Sequence, residues 1–368
     1  MVSAFLFAML LGAPASSPAG RAASTPPTER RRDAAEPAAG TAAFRFFGSL
    51  GAESQVTPAN TASPLNPDNV AGVPYQTNAA DVSAFGEAAT GRWKLHVKLR
   101  ADASDRGADR VRAGEAYVQF HASDWLGITA GRVIEKWGTG YGWTPTSFVG
   151  PAKDPTDPND RRSAYRGADM VRADLFVKGT SVSLYALDGG DYAARVYRLI
   201  RGTDVSLVWR SGNYGVNLSR VFGDALELHA EVTQRRALAG GQYTFANDVN
   251  VVLELYYSGD GLTAAEWDAV KRLDLASANR AYAPLRMART YAFARVSRPL
   301  PAAKIDAELI AIVNLRDGSA ILRGSITRKL GPNLNAYLIH TEFAGGRESE
   351  MSYLQVARVT TAGVRYFF

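Results

Sequence analysis

The side chains here that could do chemistry are charges set in alternation with apolar residues. Arg92, Lys94, Lys98 and Arg100 interleave with Trp93, Leu95, Val97 and Leu99. Arg132, Arg172, Lys178, Arg210, Arg295 and Arg365 read as further bases on polar faces, and Glu115, Asp174, Glu227, Glu231, Glu254, Asp306 and Glu308 as their acidic counterparts. The bases gather in the first third of the chain and the acids in the second half. A row of bases in a narrow, low-dielectric space focuses the field and draws anions. Charges paired across neighbouring strands would have no such effect.

A second constellation lies in 136–166, which has almost no periodicity. Trp137, Tyr141 and Trp143 are flat rings suited to stacking, and Arg161, Arg162 and Arg166 stand close to Asp154, Asp157 and Asp160. Folded into a confined space, these residues could stack on sugars and set a transverse field. Left outside, the same rings would sit at an interface and the charges would be solvated. Asp154, Asp157, Asn159 and Asp160 lack the glycine and distal glutamate of a calcium loop, so no metal is expected. His96, His121, His229 and His340 fall in alternating segments, never two at a ligand spacing, and are expected on inward faces. There is no Gly-x-Ser-x-Gly, His-Glu-x-x-His or phosphate loop. The polar groups a barrel hydrolase needs are scattered, so neither an enzyme nor a cofactor is expected.

The elements that must position these residues are strands. No run of about 18 uncharged apolar residues occurs past the first positions, which excludes membrane-spanning helices. Strands escape that test, because only alternate residues need face lipid. The chain has 16 Tyr, 15 Phe and 34 Gly, a composition suited to strands and tight turns, and it has no Cys, so no disulfide is needed. A formal charge of +6 is too mild to indicate a nucleic-acid partner. Residues 1–15 read as a signal peptide: a short apolar run from Val2 to Leu11, then Ala13-Pro14-Ala15. Residues 16–42 are rich in Ala, Pro, Ser, Arg and Glu without periodicity, and are expected to be a disordered leader.

From Ala43 to the end, alternating segments recur, interrupted by long loops expected at about 53–78, 136–166 and 258–288. In the last of these, Thr263-Ala264-Ala265-Glu266 is a capping box followed by Trp267 and Val270, which predicts a short helix. The short connections at Asp124-Trp125, Phe222-Gly223-Asp224, Asn247-Asp248, Pro299-Leu300-Pro301 and Leu330-Gly331-Pro332 are all turn-like. If all lie at one end of a barrel, an even number of strands separates each pair, and the count comes to about 18. It falls to 16 if the weak segment Asp81–Thr90 and one neighbour are not strands. No repeat of about 40 residues supports a propeller, and no helices long enough to cover an open sheet support an α/β fold. The fold class expected is all-β, a single transmembrane antiparallel barrel.

Two stretches carry a resemblance. The chain ends Val364-Arg365-Tyr366-Phe367-Phe368, and an aromatic two places before a terminal Phe resembles the closing strand of bacterial outer-membrane β-barrels. Gly114–Arg132, a strand opening Glu-Ala-Tyr-Val, a short turn and a strand ending Gly-Arg, together with the loop that follows, resembles general porins and alginate-export-type barrels. The resemblance implies the outer membrane of a Gram-negative bacterium, with that membrane's lipids and barrel-assembly machinery as partners. Val364, Tyr366 and Phe368 would be the assembly signal, and an oligomer is possible. It also implies a channel for small polar or anionic solutes narrowed by the 136–166 loop. The alternative is a closed barrel serving export or surface assembly of an anionic polysaccharide. The alternation turns Arg365 inward, and Phe44, Phe46, Tyr366 and Phe368 are expected on one outer surface.

Overall fold

The computed structural model describes residues 43–368. The expected signal peptide and leader lie outside the described residues. Eighteen strands form one antiparallel sheet in which β1 pairs with both β2 and β18, closing a barrel. The strands are β1 Ala43–Val56, β2 Gln76–Thr90, β3 Trp93–Ser104, β4 Gly107–Ser123, β5 Leu126–Val133 and β6 Ala168–Val177. They continue as β7 Thr180–Leu187, β8 Asp191–Ile200, β9 Thr203–Arg210, β10 Asn213–Phe222, β11 Leu226–Thr233 and β12 Arg236–Thr244. The last are β13 Asn250–Ser258, β14 Thr290–Leu300, β15 Ile305–Asn314, β16 Ala320–Lys329, β17 Leu334–Ala344 and β18 Arg358–Phe367. They match the expected strands one for one. The weak segment is the longer part of β2, so the count is 18 rather than 16.

Parity sorts the connections. One end holds only short turns, at 91–92, 124–125, 178–179, 201–202, 223–225, 245–249, 301–304 and 330–333, together with the start of β1 and the C-terminus. All five turns singled out in the sequence are there. Two are two-residue hairpins with positive φ at both positions, Lys178-Gly179 and Arg201-Gly202, the geometry that follows the right-handed twist of the strands. The opposite end carries every long connection: 57–75, 134–167, 259–289 and 345–357.

Residues directly opposite in antiparallel strands share a face, so one assignment propagates around the barrel. Trp93, Leu95 and Leu99 are about half exposed, and their register partners lead through Phe120, Ile128, Val171, Leu184, Leu207, Leu228, Leu253 and Leu338 to Val364 and Leu50. This apolar outer band is what a barrel presents to lipid. The closure is as expected: Phe46 and Phe368 lie 6.0 Å apart between ring centroids, and Arg365 turns inward to Asp81 and Ser49.

Three expectations are corrected. Arg132 pairs in register with Ala116 and Asp169, which puts it on the outer face, where its Nε binds Asp169 at 2.9 Å. The inward phase of β5 belongs to Gly127, Thr129 and Gly131, small residues that look like neither stripe. At the loop end a paired Arg can still reach the polar interface. His340 is also outward, between Thr360 at 2.8 Å and Glu342 at 3.2 Å, while Ile339 and Thr341 take the inward positions. Arg92 is not in the wall, for it forms the β2–β3 turn with Gly91 and donates to the Ala122 carbonyl at 3.0 Å.

A fourth correction is regional. On β13–β16 the inward face is apolar as well: Val252, Tyr256, Tyr291, Phe293, Ile310, Ile312 and Ile321 form a buried cluster. These strands have two apolar faces because loops pack on the inner one. The predicted helix is present as α1, Ala264–Lys271, with both hydrogen bonds of its capping box. A second, α2, Leu275–Ala281, was not anticipated and is capped by the Asp274 side chain on Ser277 N–H. Trp267 and Val270 of α1 pack with Leu65, Met287 and Tyr353, interlocking 57–75, 259–289 and 345–357 at the loop end.

Candidate functional site

The 134–167 connection folds into the barrel, and its sequence explains how. Its apolar side chains find seats on the inner wall. Trp137, 1% exposed, packs with Val149, Met170, Tyr185 and Val208, and its Nε1 donates to Tyr185 Oη at 3.3 Å. Trp143 stacks on Tyr256 with centroids 4.7 Å apart and planes within 7°, and meets Tyr291 and Phe293 edge-on or tilted. Burying two indoles is worth several kcal/mol, roughly 25 cal/mol per Å² of apolar surface. Both rings are therefore anchors and are not available to stack on a solute. Tyr141 is enclosed as well: Arg295 lies over its ring at 4.8 Å, its hydroxyl donates to Asn159 at 3.0 Å, and burial pushes that hydroxyl's pKa up to about 12.

Between the two indoles the backbone approaches two wall carboxylates. Glu231 on β11 is fully buried. Its Oε1 accepts from Thr139 N at 2.6 Å and Gly140 N at 2.7 Å, and its Oε2 from Thr146 N at 2.9 Å and Thr146 Oγ1 at 2.6 Å. Glu254 on β13 accepts from the N–H groups of Tyr141 and Gly142. His229 bridges Glu254 at 2.9 Å and Glu227 at 3.1 Å. A buried carboxylate is costly unless its lone pairs are filled, and here loop backbone fills them. Gly138, at φ +84°, permits the approach: a Cβ there would lie 2.7 Å from Glu231 Oε1.

The second part of the loop, from about 151, crosses to the far walls. Lys153 Nζ donates back to the Gly140 carbonyl at 2.7 Å, and burial holds its ammonium pKa below the ordinary range. Arg162 pairs with Glu53 of β1 at 3.0 Å, and Glu53 also accepts from Tyr337 of β17 at 2.8 Å. Asp160 accepts from Ala164 N and Tyr165 N, and its carboxyl is raised above the usual range, chiefly by burial. Gly167 N donates to the Gly114 carbonyl of β4, completing the crossing. The transverse field expected within the loop is rearranged. Arg161 is consumed by Asp157 four residues away at 2.9 Å, and Arg162 by the wall. Arg166 is exposed near Asp169 at the outer rim. Asp154 caps its own turn on Thr156.

The expected bases on the wall are mostly compensated. Arg100, 2% exposed, and Arg365 share Asp81, and Arg100 also binds Asp102 at 2.7 Å. Arg172 binds Glu135 and Asp174, Arg210 binds Asp191 and the Phe148 carbonyl, Arg295 binds Glu308, and Lys94 binds Glu87 at 2.7 Å. Two bases differ. Lys98, 6% exposed, has no carboxylate within ion-pair distance among the described residues and lies 5.6 Å over the Phe85 ring. Arg323 on β16, 5% exposed, reaches Glu308 only at 3.7 Å, and its Nη2 meets no acceptor among the described residues.

Glu231 and Glu254 had appeared in the sequence as inward acids, but nothing marked them as the loop's anchors. Arg323 was not singled out at all. The one signal available was Gly138-x-Gly140-x-Gly142, a backbone made open to close approach.

The sequence matches no protein-family model and no curated protein. The structure is similar to that of a mutant porin of Rh. blastica, with 13% identity, 89% of this chain and all of that chain covered and a TM-score of 0.50. It is similar to Acinetobacter baumannii OccAB3 with 10% identity, 88% and 99% covered and a TM-score of 0.55. At these identities the likeness concerns the fold alone, a closed antiparallel β-barrel.

Proposed function

We propose that this porin-like barrel is a channel of a Gram-negative outer membrane, passing small polar solutes with a preference for anions through a lumen narrowed by the 134–167 loop. The observation that supports it best is the course of that loop, fixed to β11–β14 and crossing to β1 and β4 inside the barrel. The inner wall also carries polar side chains, as at Ser183, Ser206 and Asn217. The anion preference is assigned to Lys98 and Arg323, the most deeply buried of the wall bases that lack a carboxylate in close contact. The outer band and the closing strand support lipid as the surroundings, with Val364, Tyr366 and Phe368 as the signal for assembly.

Planar-bilayer recording tests the reading. The purified barrel should give discrete conductance steps with an anion/cation permeability ratio above one, and a folded barrel that inserts and never conducts removes it. The interlocked loops at the mouth favour a second reading, a closed barrel serving export or surface assembly of an anionic polysaccharide. A silent intact protein that conducts only after residues 151–166 are deleted would favour that second reading.

A further inference from the structure

The outer wall carries charge at one place near the short-turn end. Elsewhere the outward positions nearest that end hold rings, as at Phe46, Trp93, Phe120 and Tyr243. On β8 and β10 they hold Arg198 and Arg220, both exposed. Register settles their face. Arg198 is two residues from Val196, which pairs with the outer-band Leu207, and Arg220 pairs with the outer-band Leu228. β9 runs between them, with Val205 opposite Arg198 and Thr203 opposite Arg220. Two strand spacings set β8 and β10 about 10 Å apart, and the two-residue offset adds about 7 Å along the strands. Two arginine side chains can close that span on one small anion. The Arg220 guanidinium lies 4.9 Å over the Phe222 ring.

The acids of β6–β10 are engaged elsewhere. Asp169 and Asp191 bind Arg132 and Arg210 at the opposite end, and Asp174 and Asp204 turn inward to Arg172 and Tyr197. No ion pair reaches Arg198 or Arg220 among the described residues. Lys178 and Arg201, exposed in the β6–β7 and β8–β9 turns, add two bases to this edge, against Asp224 in the turn after β10. An arginine on a lipid-facing wall extends its head to the headgroup level, where its planar fork matches two oxygens of a phosphate. We infer that Arg198 and Arg220 form a site for the phosphate of one anionic phospholipid in the leaflet at the short-turn end. The Thr203 hydroxyl stands between them, and Val196, Leu207 and Leu218 receive the acyl chains. With four bases against one turn carboxylate, a headgroup of net negative charge is preferred to a zwitterionic one. The inference needs the barrel to stand in lipid and is independent of what passes through it.

The test is native mass spectrometry of the full barrel in nonionic detergent, each protein first shown to be folded by heat-modifiable migration. Titrated with phosphatidylglycerol, the wild type should retain one lipid at concentrations at which phosphatidylcholine leaves none bound. Arg198→Gln/Arg220→Gln should weaken that binding by about tenfold, as the loss of two charge-assisted contacts implies. Arg328→Gln removes another outward, exposed arginine, six strands away on β16, and should leave binding unchanged. If the double variant does not fold, Arg220→Gln alone, expected to bind several-fold more weakly, decides by the same comparison. Equal retention by wild type and the arginine variant, equal retention of the two lipids, or an equal loss in Arg328→Gln overturns the site. Displacement of the lipid by inorganic phosphate at matched concentration means a site for the free anion and overturns the lipid assignment.

Discussion

Glu231 and Thr146 are joined twice at one oxygen: Oε2 accepts the Thr146 backbone N–H at 2.9 Å and its hydroxyl at 2.6 Å. One residue of the wall and one of the loop, 85 positions apart in the chain, thereby hold the anchored half of the crossing in place. Thr146 Oγ1 also accepts from Asn217 at 3.1 Å, so the contact is part of a network spanning β10 and β11.

Removing that carboxylate should loosen the loop without opening the barrel. Glu231→Ala leaves the N–H groups of Thr139, Gly140 and Thr146 without their acceptor, at about 1–3 kcal/mol for each group that stays buried. Hydrogen exchange should show faster amide exchange confined to about 138–147, with the strand amides protected as before. Uniform protection in the variant would show that Glu231 is not an anchor.

The closing strand should matter to assembly more than to passage. Phe368→Ala removes the ring beside Phe46 and leaves Arg365, the inward residue of that strand, untouched. The amount of heat-modifiable, membrane-inserted protein should fall several-fold, while the channels that do form keep wild-type conductance. Normal insertion of the variant would count against an assembly role.

Lys98 and Arg100 are near neighbours on one face, and their substitution should have opposite consequences. Lys98→Gln removes a buried charge that has no ion-pair partner, so stability should be kept while the anion/cation permeability ratio falls. Arg100→Gln withdraws one of two partners at Asp102, the other being Arg112, and one of two at Asp81. Breaking a buried pair costs about 3–5 kcal/mol, so denaturant unfolding should shift clearly. Equal loss of stability in both variants would contradict the distinction.

The loops at the mouth should respond to pH through Glu350. Its carboxyl is fully buried, accepting from Tyr291 Oη, Asn314 Nδ2 and Leu285 N, and burial raises it above its ordinary value of 4.5. The folded state therefore keeps this proton to a higher pH than the unfolded chain does. The resulting stabilisation is complete below the ordinary value and is lost as pH rises through the raised one. Trp267 fluorescence, reporting the packed loops, should indicate tighter packing at mildly acidic than at neutral pH, and Glu350→Gln should abolish the difference. A pH response preserved in Glu350→Gln would place its origin elsewhere.

The sequence by itself determined the alternating segments and the grouping of the short turns, and narrowed the strand number to 18 or 16. These depend on a period of two and on parity, both local properties. It also determined the capping box of α1, whose partners are three residues apart. Which face Arg132 and His340 take was decided by register, because small residues such as Gly127 and Gly131 leave the phase of a short strand undetermined until its neighbours pair with it. The apolar inner face of β13–β16 was likewise invisible, since alternation between two apolar stripes is not alternation. Only the tertiary structure brought Trp143 onto Tyr256 and the loop backbone onto Glu231 and Glu254. Backbone N–H groups are the same at every position, so no pattern of side chains announces which of them a distant carboxylate will bind.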